Sequence, residues 1–324
     1  MKAKWPSVSF IVCTYNCRDY AVRCFESIKK QEYGGKVELL AIDGSSKGQS
    51  NDGTIEALKE MGVKIVPTNA RPEGKMAAKW VGYTKAKGEI LIFVDSDNAL
   101  VEDDWVRQMV KPLMEERANF SICRMLVSKE DILANQYLSL IGTDPFADYK
   151  SIDSQLGMKR LKLEDKGEFY TYTMKQENFL IAGGYYFTIK KKTLDKIGGY
   201  TQDTDVVYNL IKNGRGIVAI PKNAHIHHLI TRGVLDFTKK KYRWGKIYFQ
   251  EQIHNRDFNW MPQSRTEKLK LYARVARNLL FVPNFIQGVY LAIRDRERAW
   301  LMHGMMSWLT TAAYLKAYFD SKKT

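Results

Sequence analysis

Two carboxylates one residue apart, Asp95-Ser96-Asp97, close a short apolar run, Ile90-Leu91-Ile92-Phe93-Val94, that starts after Gly88. Such a pair offers hard oxygen ligands to a divalent cation able to bridge phosphate groups. Asp43-Gly44-Ser45-Ser46 closes another apolar run, Val37 to Ile42. Further on stand Asp203 and Asp205, then His225-Ile226-His227-His228. One carboxylate beside an acceptor hydroxyl can take its proton during transfer. Each aspartate has a plainer reading as a helix cap: Asp95 or Asp97 for a helix opening at Glu102, Asp203 for one over Val206 to Ile211. The histidines have one too, as surface or structural groups.

The surrounding elements give these residues a common address. Val8 to Cys13 predicts a first strand, and a helical pattern from about Tyr20 to Lys30 carries Val22, Phe25 and Ile28 on one face. Strands are expected over Val37 to Ile42, Val63 to Val66 and Ile90 to Val94. Helices are expected after Asp52-Gly53-Thr54 and over Gly74 to Ala86. Fourfold strand–helix alternation with short loops predicts an α/β, doubly wound and mostly parallel sheet. Ligands of such sheets sit at the carboxyl ends of the strands, so Asp43, Asp95 and Asp97 should face one crevice. Arg71 and Lys75, in the loop and helix start facing it, could meet phosphate. Cys13-Thr14-Tyr15-Asn16-Cys17 holds no glycine for a phosphate cradle, which disfavours a dinucleotide-binding enzyme.

The composition is that of a folded chain of 324 residues, 45% hydrophobic and 27% charged, with a net charge of +15. The charge is uneven: from Ile226 to Thr324 there are 18 Lys/Arg against 7 Asp/Glu. A basic region of this kind suits nucleic acid or an anionic membrane. Its long uncharged runs, rather than interleaved aromatic stacking positions, argue for the membrane and against nucleic acid. Four cysteines without a paired CxxC predict neither zinc nor a disulfide framework, and a reducing compartment. No apolar leader follows Met1, so no signal peptide is expected.

Several stretches in collinear order resemble the inverting GT-A glycosyltransferases of family 2, the group of dolichyl-phosphate sugar synthases and cellulose and chitin synthases. They are Val8 to Asn16, Ile42 to Ser46, Asp52-Gly53-Thr54, Ala86 to Glu89 leading into Asp95-Ser96-Asp97, Phe187 to Lys191, Ile197 to Tyr200 and Gln202 to Asp205. The resemblance covers roughly residues 6 to 228. It implies a GT-A, Rossmann-like catalytic domain over residues 1–230. Thr14, Tyr15 and Asp43 would line base and ribose, and Asp95 and Asp97 would address ribose and a diphosphate bound to Mn2+ or Mg2+. Asp203 would be the general base, with Asp205 as its rival and Gln202 where the family carries Glu. By spacing from Pro221, His227 matches a histidine that completes the metal shell.

Residues 231–324 predict basic amphipathic helices. Lys239 to Lys246 holds five cations in eight residues, and its Arg243-Trp244 resembles the end of the family's Gln-x-x-Arg-Trp motif, with Lys240 in place of Gln. That resemblance implies Arg243 near the departing diphosphate and Trp244 at the acceptor. Ser264-Arg265-Thr266-Glu267 forms a capping box opening a helix suited to a lipid interface. Two uncharged runs follow, Leu279 to Ile293 and Ala299 to Leu315, both shorter than the ~20 residues of a straight span. With Trp300, Trp308 and Tyr314 as interfacial aromatics, a membrane-attached hairpin is expected. The resulting expectation is metal-dependent inverting transfer from a nucleotide-diphosphate sugar, GDP-mannose first, to a lipid-linked acceptor. The catalytic domain would lie on the cytoplasmic membrane face. A soluble enzyme acting on protein or polysaccharide is the alternative, and a nucleic-acid-binding protein the remote one. Asp144, Asp148, Asp153 and Tyr170-Thr171-Tyr172 are further acceptor-side candidates.

Overall fold

A computed structural model describes residues 4–69, 78–146, 152, 158–180, 186–252, 256–259, 261–262 and 264–323. In chain order its strands are β1 Val8–Thr14, β2 Val37–Asp43, β3 Lys64–Pro67, β4 Ile90–Asp95, β5 Asn98–Leu100, β6 Phe120–Ser121, β7 Arg124–Met125, β8 Glu164–Asp165, β9 Phe169–Thr173, β10 Tyr186–Lys190, β11 Ile217–Pro221 and β12 His225–His228. Its helices are α1 Arg18–Lys29, α2 Thr54–Glu60, α3 Ala78–Lys85, α4 Trp105–Met114, α5 Leu133–Ile141, α6 Lys191–Asp195, α7 Asp203–Lys212, α8 Val234–Ile247, α9 Arg265–Leu279, α10 Val282–Asp295 and α11 His303–Ser321. They fall into two units, Met1–Leu126 with Arg160–His228, and Val127–Lys159 with Leu229–Thr324. The segment 127–159 therefore joins the C-terminal helices rather than the residue 1–230 domain expected from sequence.

The first unit is built on a nine-stranded sheet in the order β3-β2-β1-β4-β10-β6-β11-β9-β8. β1 lies between β2 and β4, parallel to both, and its apolar residues are buried on both faces. The half beyond β4 departs from the mostly parallel expectation. There β10 runs antiparallel to β4 and β6, while β9 runs antiparallel to β11 and β8. Parallel and antiparallel neighbours therefore share one sheet, and the sheet is mixed. A small second sheet, β5-β12-β7, stands at the end of β4.

The order 3-2-1-4 puts a switch point between β1 and β4, where two parallel neighbours leave β1 on opposite sides. Registers Thr14↔Asp43 and Cys13↔Asp95 bring three strand ends level. Above them α3 lies close on the sheet because Gly82 has no side chain: a Cβ there would stand 2.2 Å from Ile11 Cγ2. Lys79, three residues earlier on α3, is thereby set among the strand ends.

In the second unit α11 packs with α8, and α10 crosses the start of α11. The crossing is tight enough that a Cβ on Gly288 would meet the Trp300 carbonyl at 2.6 Å. Trp300 is fully buried and donates its indole N–H to Asp295 at 3.2 Å. Tyr314 donates to Asp144 at 2.5 Å, and Lys241 Nζ lies 3.0 Å from the same carboxylate. Trp300, Tyr314 and Asp144 are thus internal ties, not interfacial or acceptor-facing groups as expected. Asp148 and Asp153 lie outside the described residues. Among the described residues no helix is long and apolar enough to cross a membrane. Most of the second uncharged run lies in α11, which buries one face including Met306, Thr310 and Ala313 while Trp308 stays exposed.

Candidate active site

Asp43 ends β2 fully buried. Thr14 Oγ1 donates to its Oδ1 at 2.8 Å; Ser50 adds its hydroxyl at 2.6 Å and its backbone N–H at 2.9 Å. The carboxylate is spent on holding the loop from Gly44 to Asp52 against β1. A second set of bonds fixes the same rim: Asn51 N donates to Asn16 Oδ1 at 2.9 Å, and Arg18 N to Asp52 at 3.2 Å. Asp43 thus ties this loop to the strand end with both carboxylate oxygens. Tyr15, next after this strand, is 37% exposed.

Lys79 is the centre of the crevice. Its ammonium lies 2.8 Å from Asp95 Oδ1 and 3.1 Å from Asp203 Oδ1, with 8% of its side chain exposed. Burial alone would lower this ammonium, but Asp203 and then Asp95 outweigh it and hold it well above the ordinary lysine range. Burial raises the Asp95 carboxyl above its usual value; Lys79 opposes that, and Asp203 and Asp97 add to it. Tyr200 donates its hydroxyl to Asp203 at 2.5 Å and packs on Phe93 with ring centroids 4.3 Å apart. Asp203, first residue of α7, is therefore fixed on one side by Tyr200 and Lys79 while 45% of its side chain stays exposed. Asp205 is 3% exposed, so of the two rivals Asp203 is the more accessible.

Asp97 sits in the turn between β4 and β5. Its Oδ1 lies 3.3 Å from His228 Nε2 and accepts from Asn98 Nδ2 at 3.3 Å. The register His228↔Asn98 between β12 and β5 produces this contact. His227 was expected in this place, but strand alternation turns its ring to Arg23, with Nδ1 2.6 Å from the guanidinium. His225 is committed to Glu102, at 2.6 Å. The histidine beside the acidic pair is His228, and position in an alternating strand, not spacing from Pro221, decides it.

Among the described residues no three His, Cys, Asp or Glu side chains gather into a set that could hold a metal ion. Asp97 and His228 nevertheless fit one as a pair of cis ligands, which stand ~3 Å apart around an ion with bonds of ~2.1 Å. A cation bound through one or two protein groups takes its remaining ligands from phosphate oxygens and water. Three carboxylates, Asp95, Asp97 and Asp203, would otherwise face the charge of a diphosphate, which a divalent cation would offset.

Two central residues, Lys79 and Tyr200, were absent from the functional reading of the sequence. Tyr200 stood in the Ile197-Gly198-Gly199-Tyr200 stretch without a role, and Lys79 lay within a predicted helix with nothing to mark its inward face. Lys75 and Arg71 lie outside the described residues. Arg243 and Trp244 belong to the second unit, on α8, where the guanidinium stands 5.7 Å from the indole centroid.

The sequence profile of glycosyl transferase family 2 matches residues 9–198, more than half of the chain, and the chain belongs to that family. A glycosyltransferase of Bacillus subtilis (strain 168), EpsH, is 29% identical over 126 residues, 39% of this chain and 36% of that protein. The succinoglycan biosynthesis protein ExoO of Rhizobium meliloti (strain 1021) is 30% identical over 131 residues, 40% of this chain and 35% of its own. The match spans about a third of the length of these curated relatives. Among solved structures, the mannosyltransferase PcManGT from Pyrobaculum calidifontis, in complex with GDP-Man and Mn2+, aligns with a TM-score of 0.54 at 16% identity. That alignment covers 96% of this chain and 87% of the other. The likeness is one of fold, the GT-A α/β architecture with a mixed sheet.

Proposed function

We propose that this enzyme transfers a sugar from a nucleotide-diphosphate donor to a lipid-linked acceptor with inversion, using a divalent cation. The observation that carries the reading is the cluster at the switch point: Asp97 beside His228, and Lys79 joining Asp95 to a half-exposed Asp203. Tyr15 and the wall fixed by Asp43 receive base and ribose, and Asp95 addresses the ribose. Asp97 and His228 would hold the cation, which when bound neutralises charge building on the departing diphosphate. Asp203 takes the proton of the acceptor hydroxyl as its oxygen bonds to the anomeric carbon and the bond from that carbon to phosphate breaks. Attack from the face opposite the leaving group inverts that carbon. For an acceptor that is already an ionised phosphate there is no proton to take, and Asp203 then only positions it.

The fold neighbour's complex with GDP-Man and Mn2+ sets the order of trials: GDP-mannose with manganese, then UDP-glucose and UDP-GlcNAc. Thermal shift should show stabilisation by one donor only when metal is present, lost in Asp97→Ala and His228→Ala. Asp203→Asn should keep that shift while kcat for hydroxyl acceptors falls by about 10²- to 10⁴-fold. Full transfer by Asp203→Asn would remove the base, and a donor shift unchanged by Asp97→Ala would remove the metal site. A second reading, transfer onto a growing polysaccharide, draws on the succinoglycan relative. It uses the same site and is separated by acceptor competition between lipid-linked and free oligosaccharide.

A further inference from the structure

Helix α10 is inside out. Its buried residues are Asn284, Gly288 and Leu291, whereas Val282, Phe285, Ile286, Tyr290 and Ile293 face solvent. The spacing of these five places them along one stripe of the helix. The cause lies on the inner side: α10 crosses the α11 start so closely that a Cβ on Gly288 has no room, and Gly304 lies 3.1 Å from Phe285 backbone by the same measure. Most of the large apolar side chains are left the outer side, Leu291 being the exception. On α9, Leu269 and Tyr272 are exposed on the side away from buried Asn278. The elbow between the helices exposes Leu279 to Val282, four apolar residues in a row. Exposed apolar runs of that length are foreign to a surface that meets only water.

Cations border this face. Lys268, Lys270 and Arg277 flank the α9 stripe and Arg265 stands at its start, all exposed. From Ser264 to Arg298 there are eight Lys/Arg against three Asp/Glu. Long basic side chains beside an apolar stripe can lay their stems along it and reach phosphate headgroups with their charged ends. A second copy of the chain would bring like charges together at the same rim, which disfavours it. Neither helix meets the requirement for a span, so the helices would lie in the plane of the interface.

We infer that the α9–α10 elbow is a membrane-docking surface for anionic lipid, seating Leu280, Phe285, Ile286 and Ile293 among acyl chains with Lys268, Lys270 and Arg277 at the headgroups. The inference rests on the lipid-linked acceptor reading and adds to it the surface, its orientation and the lipid charge.

Co-sedimentation of the full chain with phosphatidylcholine vesicles, with and without roughly a third phosphatidylglycerol, tests it. Binding should favour the anionic vesicles by about tenfold and weaken with salt. Ile286→Glu/Ile293→Glu should lose at least about tenfold in binding with an unchanged melting curve, because both side chains already stand in solvent. Lys268→Glu/Arg277→Glu should erase the preference between the two vesicles. Equal binding by wild type and Ile286→Glu/Ile293→Glu overturns the inference. So does a dimer in light scattering that this variant dissolves while vesicles capture nothing, since the face would then belong to a second copy. The assay contains no nucleotide sugar, so a chain that binds vesicles but no donor refutes the donor reading alone.

Discussion

Lys79 reaches Asp95 and Asp203 with one ammonium, so the residue proposed to contact ribose and the residue proposed to take the proton share a single positioning group. Tyr200 holds the same Asp203 carboxylate with its hydroxyl at 2.5 Å. Removing the charge while keeping the stem, in Lys79→Met, should let Asp203 turn and slow transfer by about 10²-fold, the scale on which a small misplacement of a reacting group is felt. Lys79→Arg should recover part of that rate, because the charge returns with a different donor geometry. Unchanged transfer by Lys79→Met in steady-state assays would show that Asp203 is positioned without it. His228 makes a related point about single residues. Its neighbour His227 is chemically identical and one position nearer in sequence to Pro221, yet the pleat of β12 turns it toward Arg23.

The elements that carry the site are held by close approaches as much as by apolar area. β1, β2 and β4 form the parallel half, and α3 lies on it only because Gly82 leaves room beside Ile11 and Ile42. In the second unit Gly288 plays the same part between α10 and the Trp300 carbonyl. Gly288→Val should destabilise that unit by roughly 1–3 kcal/mol, the usual cost of overpacking, read as a lower melting temperature without loss of donor binding. An unchanged melting curve would mean that α10 can move away, and that its inverted faces do not arise from the tight crossing. The predicted capping box is present in full: the Ser264 side chain accepts from Glu267 N at 3.2 Å, and Glu267 accepts from Ser264 N at 3.1 Å. Such a local motif is readable in sequence because all its partners lie within one turn.

At the scale of the whole chain, pH should act through His303. Its ring is buried beside Tyr137, whose hydroxyl lies 2.8 Å from Nδ1; burial, and then Arg277, lower it from 6.5 to about 4. Between those values the unfolded chain binds a proton that the folded unit refuses. Stability is therefore complete above pH 6.5 and falls as pH drops toward 4, by about 3 kcal/mol in total. Chemical unfolding from pH 7 to 4 should show this loss, and His303→Gln should lack that part of it; identical pH profiles would clear His303 of the effect. The sequence alone determined the parallel strand pattern, the acidic strand ends, Asp203 at a helix start and the basic, apolar character of the C-terminal region. Those features are written in local periodicity and in residue types adjacent along the chain. Only the tertiary structure decided that the sheet is mixed, that Lys79 and Tyr200 join the strand-end carboxylates, that His228 rather than His227 meets Asp97, and that α11 buries one face while α10 turns most of its large apolar residues outward. Each of those depends on which distant element lies against which face, and neither side chain in such a contact carries a mark of its partner.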